Sequence, residues 1–265
     1  MKLTRIGGPT VLVEFDGWRI LVDPTFDAPG RRYSFGWGTS SRKTLGPALT
    51  VDELGRIDIA LVSHDHHADN LDDAGRELLP SAGAVVTTAS GAVRMSQWMP
   101  AANGHGLRAG ERAVLPGARA GLPSLEITAT SCRHGPPLSH PIVGDVIGFA
   151  IRRAGDSQVA LWVTGDTVLY PRLRRAAADL DIDVAIVNVG GVRFGITGPL
   201  RYTMNGREAV DLIHLAAPRV AVLAHYDGWS HFRDGEHGLR SALDAAPASI
   251  RDRALWLTDG VAVEV

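Results

Sequence analysis

The run Thr-Val-Leu-Val-Glu-Phe from Thr10 is followed by Asp16-Gly17 and then by Trp-Arg-Ile-Leu-Val to Val22. Two apolar stretches rich in Val, Ile, Leu and aromatics around an Asp-Gly step predict a hairpin over Thr10–Phe15 and Trp18–Val22. Pro24 ends the second strand, because proline donates nothing to a ladder. The segment 28–50 is rich in glycine, carries Arg31, Arg32, Arg42 and Lys43 with no acidic residue, and reads as a long loop. Short apolar runs predict further strands at 57–62, 84–88, 125–130, 143–151, 159–163, 184–189, 220–223 and 254–257. Leu71, Ala74, Leu78 and Leu79 recur at helical spacing, with Asn70 as an N-cap and Asp72 and Asp73 in the first turn. Asn205 with Glu208 forms a capping box for a helix to about Leu215, and a last helix covers 239–245.

Strands and helices alternate with no linker and no internal repeat, so residues 1–265 are expected to form a single domain. The opening hairpin and the number of strands favour two sheets with helices outside over one doubly wound sheet.

Composition narrows the class. The chain has 265 residues, 45% hydrophobic and 21% charged, enough to build a core without covalent staples. Twenty-seven basic against 29 acidic residues leave a net charge of −2, so no nucleic-acid partner is expected. Cys132 is the only cysteine, which excludes an internal disulfide and fits a reducing compartment. No apolar run is long enough for a membrane span, and the N-terminus lacks a signal-peptide core. A cytoplasmic protein is the expectation, and a homo-oligomer stays open.

The chemistry gathers at strand ends, where a rigid element can hold ligands to metal-binding tolerance. His64, Asp65, His66, His67 and Asp69 follow one predicted strand, His134 a second, Asp166 a third and His225 a fourth. Three histidines in four residues beside carboxylates favour a metal; imidazole and carboxylate ligands suit zinc first, with manganese or iron as alternatives. His105, His140, His214 and His237 read as ordinary surface or core residues, and Cys132 as a small apolar group. Arg193, Phe194, Arg201 and Tyr202 could line a cleft, with Tyr226, Trp229 and His231 as a wall. No serine-nucleophile elbow, phosphate-binding P-loop or His-Glu-x-x-His string occurs.

The stretches SHDHHADNLD (63–72), CRHGP (132–136), WVTGDT (162–167) and LAHYDGW (223–229), with the hairpin and LVDPTF (21–26), resemble the metallo-β-lactamase-fold superfamily, and within it the L-ascorbate-6-phosphate lactonase branch. The resemblance implies a four-layer αββα sandwich of two mixed sheets. It also implies one or two divalent metal ions and hydrolysis by a metal-bound hydroxide. The family string His-x-His-x-Asp-His is altered here. Either His64 and His66 take the first two positions, with Asp69 one residue late, or Asp65 and His67 do; in both registers Asn70 stands where the last histidine belongs. The implied ligands are therefore His64 or Asp65, His66 or His67, and His134 at one site. Asp69, a bridging Asp166 and His225 form the other, with Asp69 and His225 as catalytic candidates. The expected substrate is a small anionic ester, lactone or phosphodiester; a nuclease of this fold and a metal-poor binding protein are the competing readings.

Overall fold

The computed structural model describes residues 1–100 and 103–265. In chain order the strands are β1 (Lys2–Gly7), β2 (Thr10–Phe15), β3 (Trp18–Val22), β4 (Arg32–Gly36), β5 (Thr39–Arg42), β6 (Ile59–Val62), β7 (Ala84–Thr88), β8 (Gly104–Leu107), β9 (Arg112–Leu115), β10 (Leu125–Ser131), β11 (Ile147–Arg153), β12 (Val159–Val163), β13 (Ile182–Asn188), β14 (Val220–Ala224), β15 (Ala254–Leu255) and β16 (Ala262–Glu264). The helices are α1 (Val51–Leu54), α2 (Asp73–Leu78), α3 (Ala89–Met95), α4 (His140–Val143), α5 (Pro171–Asp179), α6 (Gly206–Ala216), α7 (Gly235–Asp244) and α8 (Ala248–Arg251).

Two mixed sheets form, in the orders β16-β1-β2-β3-β6-β7-β8 and β15-β14-β13-β12-β11-β10-β9. In each, an antiparallel part passes into a parallel part, at β3–β6 in the first and at β12–β13 in the second. The strands alternate between two apolar environments, which is why they read as continuous hydrophobic runs. Val11, Val13, Ile20, Ile59 and Leu61 face Ile127, Phe149, Leu161, Val163 and Ile186 between the sheets. Leu12, Leu21, Ala60 and Val62 turn outward onto Leu71, Leu78 and Met95. Trp162, Ala185, Val187 and Leu223 turn outward onto Leu173, Leu212, Ile213 and Leu239 from α5, α6 and α7. The four-layer αββα sandwich follows from that two-sided burial. Among the described residues no helix is long and apolar enough to cross a membrane.

The β2–β3 hairpin turns at Asp16 and Gly17 with φ of 51° and 82°, the left-handed pair that such a tight turn requires. The capping box at Asn205 and Glu208 is present as read. Three local expectations change. The segment 28–50 holds a small hairpin, β4–β5, whose tip has positive φ at Trp37 and Gly38. The stretch expected as strand from 143 begins as helix α4, and β11 starts at Ile147 after Gly144 breaks the chain direction at φ 66°. The cap of α2 is Asp72 and not Asn70. Its carboxylate accepts from the amides of Gly75 (2.9 Å), Phe26 (2.8 Å) and Asp27 (2.7 Å) and pairs with Lys43 Nζ at 2.7 Å, both side chains buried. The pair fastens the segment behind β5 to the helix that follows the histidine run.

Candidate metal centre

Strands β3, β6, β12, β13 and β14 end at one edge of the sandwich and deliver, in turn, Asp23, Ser63-His64, Asp166, Asn188 and His225. Parallel strands place ligands at their carboxyl ends in this manner. The turn carrying Asp166 needs glycine before it: Gly165 has φ 62°, and a Cβ there would lie 2.6 Å from the Ile147 carbonyl oxygen. His225 itself holds φ 60°, a strained backbone kept by its amide bond to the Gly8 carbonyl at 2.8 Å.

Ligand atoms of three groups lie within 4.8 Å of one another: His64, His66 and His67; His64, His134 and Asp166; Asp69, Asp166 and His225. Asp166 belongs to two of them and so stands between the halves of the cluster. His64 Nε2 is 3.1 Å from His67 Nδ1, which is 3.3 Å from His134 Nε2. His225 Nε2 is 3.4 Å from Asp166 Oδ2 and 3.5 Å from Asp69 Oδ2. Bonds of about 2.1 Å to a tetrahedral zinc put neighbouring ligand atoms roughly 3.4 Å apart, so these spacings suit a shared cation.

The orientation of the rings fits as well. His134 donates its Nδ1–H to the Tyr202 carbonyl at 2.8 Å, and His225 its Nδ1–H to the Val189 carbonyl at 3.2 Å. Each Nε2 lone pair is thereby turned inward, the arrangement in which a backbone carbonyl fixes the tautomer of a metal ligand. Asp69 Oδ1, Asp166 Oδ2 and His225 Nε2 are buried without a hydrogen-bond partner. Such orphaned atoms are costly unless a cation satisfies them.

Burial and the neighbouring imidazoles hold His64 and His67 well below the ordinary histidine range, leaving both neutral. Burial opposes the charge on Asp69, yet His225 and His231 pull its carboxyl well below the usual value. Burial would also depress His225, but Asp166 and Asp69 outweigh it and raise the imidazole to about 9. Burial, with Asp166 adding to it, pushes Asp23 up to about 7.

Both raised groups act in one direction on stability. Each contribution is present below the ordinary value of its group and is lost as the pH rises through about 7 for Asp23 and about 9 for His225. Chelated protein is therefore expected to melt at progressively lower temperature between pH 7 and pH 9 in a thermal scan, the Asp23 share being already lost by about pH 7 and the His225 share being lost across that window. A flat or rising profile would contradict these environments.

Among the expected site residues, the structure brings His64, His66, His67, Asp69, His134, Asp166 and His225 together. His66 also packs its Nε2 against the Val143 carbonyl. Asp65 lies outside every group: its carboxylate takes a two-point contact from Arg94, with Nε at 2.8 Å from Oδ2. Asn70 donates from Nδ2 to Asp23 Oδ2 at 3.1 Å and to Ser63 Oγ at 3.4 Å, and its Oδ1 is buried without a partner. Among the described residues the groups contain none of His105, His140, His214 and His237. Cys132 donates from Sγ to the Thr164 carbonyl at 3.0 Å, and burial pushes its thiol well above the usual range.

Three residues escaped the sequence reading. Asn188 donates to Asp166 Oδ1 at 3.0 Å, Asp23 accepts the Ser63 amide at 2.7 Å, and His231, read as wall, touches Asp69 Oδ2 from Nε2 at 2.9 Å. The only signal for the first two was a polar residue ending a buried strand.

The cluster opens into a cavity lined by His67, Asp69, His134 and His231 and walled by Phe35, Thr39, Val143, Val192, Phe194 and Tyr202. Phe35 comes from β4, so the small hairpin lies over the histidines, with its ring 5.2 Å from that of His67. The loop cations face elsewhere. Arg31 pairs with Asp73 at 2.5 Å, Lys43 with Asp72, and Arg32 bonds Ser40 Oγ at 2.9 Å. A larger adjoining cavity, sharing Thr39, Phe194 and His231, carries the exposed Arg193 and Arg233.

The β-lactamase superfamily domain matches residues 18–226. A relative from Caldivirga maquilingensis, named UPF0173 metal-dependent hydrolase, is 26% identical over 249 residues, 94% of this chain and 92% of that one. The fold is that of an isothiocyanate hydrolase from Delia radicum gut bacteria (TM-score 0.79, 19% identity, covering 100% of this chain and 99% of that one). It is also that of a possible metal-dependent hydrolase from Veillonella parvula (TM-score 0.81, 18% identity, 100% and 99%). The match is to the superfamily and does not single out the lactonase branch.

Proposed function

Since the chain belongs to the β-lactamase superfamily domain family, we propose that it is a metal-dependent hydrolase whose centre is the His/Asp cluster at the strand ends. The observation that carries this reading is the convergence of three buried, unpartnered ligand atoms, on Asp69, Asp166 and His225, next to three imidazoles.

His64, His67 and His134, spaced at 3.1 and 3.3 Å, would hold one divalent cation, and Asp69, Asp166 and His225 a second. A cation so held acidifies a water and polarises the oxygen of the bond to be cleaved. The side chains supply the rest. Asp69 stays ionised, with His231 on Oδ2, and so offers the centre a charged carboxylate. His134 and His225 are locked by backbone carbonyls and cannot rotate away. The aromatic walls exclude bulk water from the cluster.

We read the substrate as a small anionic ester or lactone, its body in the adjoining cavity against Phe194 and its charge toward Arg193 and Arg233. A phosphodiester of similar size fits the same description.

Elemental analysis of untagged protein after gel filtration, with no metal added, tests the reading. About two equivalents of zinc, manganese or iron are expected; no metal, and none taken up on titration, overturns it in favour of a binding protein. His134→Ala is expected to lose metal with its circular dichroism unchanged, and undiminished metal content in that variant would remove His134 from the ligand set.

A further inference from the structure

Position 70 offers the centre no imidazole, since Asn70 is spent on Asp23 and Ser63. An imidazole nevertheless reaches Asp69 from another part of the chain. His231 is 2% exposed, and its Nε2 lies 2.9 Å from Asp69 Oδ2. A carboxylate only accepts, so Nε2 carries the proton, and in the neutral ring Nδ1 must accept in turn. Ser41 Oγ, on β5, lies 2.5 Å from Nδ1 and donates to it. Ser41 then has its own acceptor free for Ser230 Oγ at 3.2 Å, and Ser230 accepts the Arg42 amide at 2.9 Å. Every link in this chain points the same way, from the backbone of β5 to Asp69.

The ring cannot easily turn. It stacks on Phe194 at an interplanar angle of 7° and meets Phe35, Trp229 and Phe232 at steeper angles. His231 holds Oδ2, the oxygen that also lies 3.5 Å from His225 Nε2, and so fixes the plane of the carboxylate, while Oδ1 stays buried without a partner.

We propose that His231 is a positioning residue that fixes the rotation of the Asp69 carboxylate, and that the β4–β5 hairpin, through Ser41, sets it there. The inference rests on the metal-dependent reading of the site. The hairpin thus covers the cluster and also completes it.

The test compares zinc-loaded parent, His231→Ala, His231→Gln, Ser41→Ala and Ser230→Ala. Loss of zinc to excess EDTA is timed, and p-nitrophenyl acetate turnover is resolved into kcat and KM. His231→Ala is expected to release zinc about 10-fold faster and to lose about 10- to 100-fold in kcat, the usual range for a partner behind a ligand, with KM within about twofold. His231→Gln keeps an N–H for Asp69 and should recover most of both. Ser41→Ala, which removes one neutral hydrogen bond, should fall by about 3- to 10-fold. Parent-like zinc release in His231→Ala overturns the proposal, as does a His231→Gln no better than alanine. Should the alanine variant fail to fold, parent-like zinc release in both Ser41→Ala and Ser230→Ala overturns it equally. A parent that takes up no zinc defeats the metal-centre reading itself, a result distinct from a parent that binds zinc and a His231→Ala that matches it.

Discussion

Asp166→Asn is expected to lower turnover by roughly 1,000-fold, because the one carboxylate shared by two ligand groups loses its charge while keeping its shape. Asn188 holds Oδ1 at 3.0 Å and so fixes the rotamer, leaving Oδ2 unpartnered and 3.4 Å from His225 Nε2. An amide in that place cannot compensate a cation, so about one equivalent of bound metal should disappear in elemental analysis. With metal present the variant should melt lower than the parent, because it lacks what the lost cation contributes. Without metal the two should differ less, since removing the Asp166 charge relieves repulsion on Asp23 while it weakens the attraction to His225. Undiminished turnover and metal content in Asp166→Asn would place the reacting bond elsewhere.

The largest loss of stability is expected from Asp72→Ala. Three backbone amides and a buried lysine converge on this carboxylate, which is fully buried. Its removal uncaps α2, strands the amides of Phe26 and Asp27, and leaves Lys43 as an uncompensated buried charge. Breaking a buried pair from one side costs about 3–5 kcal/mol, which for a chain of this size lowers the melting temperature by roughly 10 °C. Lys43→Met should cost less, because a methionine fills the same channel without a charge and leaves Asp72 its three amides. Equal losses from the two variants would show that the cap counts for little beside the ion pair.

What was legible in the sequence follows from how local each feature is. Asp16-Gly17 and the Asn205–Glu208 box announce themselves because turn and cap need those residue types at those spacings, whatever the rest of the fold does. His134, Asp166 and His225 stood out because each follows the end of a strand, β10 alternating and β12 and β14 buried along most of their length. The β4–β5 hairpin was hidden. Its strands, Arg-Tyr-Ser-Phe-Gly and Thr-Ser-Ser-Arg, lack a core of their own and gain one only by laying Tyr33 and Phe35 on Trp229, nearly 200 residues on. Asp65 and His231 were misjudged for the same reason. Spacing makes Asp65 a ligand candidate, and only the packed fold shows Arg94 occupying it. His231 sits six residues past His225 in a run of aromatics, and nothing in that run tells of Asp69, 162 positions earlier.

The ligands come from both sheets, and the order in which the molecule can assemble follows from that. His64, His67 and Asp69 belong to the first sheet, whereas His134, Asp166 and His225 follow strands of the second. A nascent chain holding only the first half owns His64, His66, His67 and Asp69 but none of the donors from the second sheet. Contacts of such long range form late, after the loop-closure entropy of the whole chain has been met. A cation held as proposed would not nucleate this fold as it does a zinc finger; it would meet a finished cradle and slow the parting of the two sheets, lengthening the life of the native state without hastening its birth.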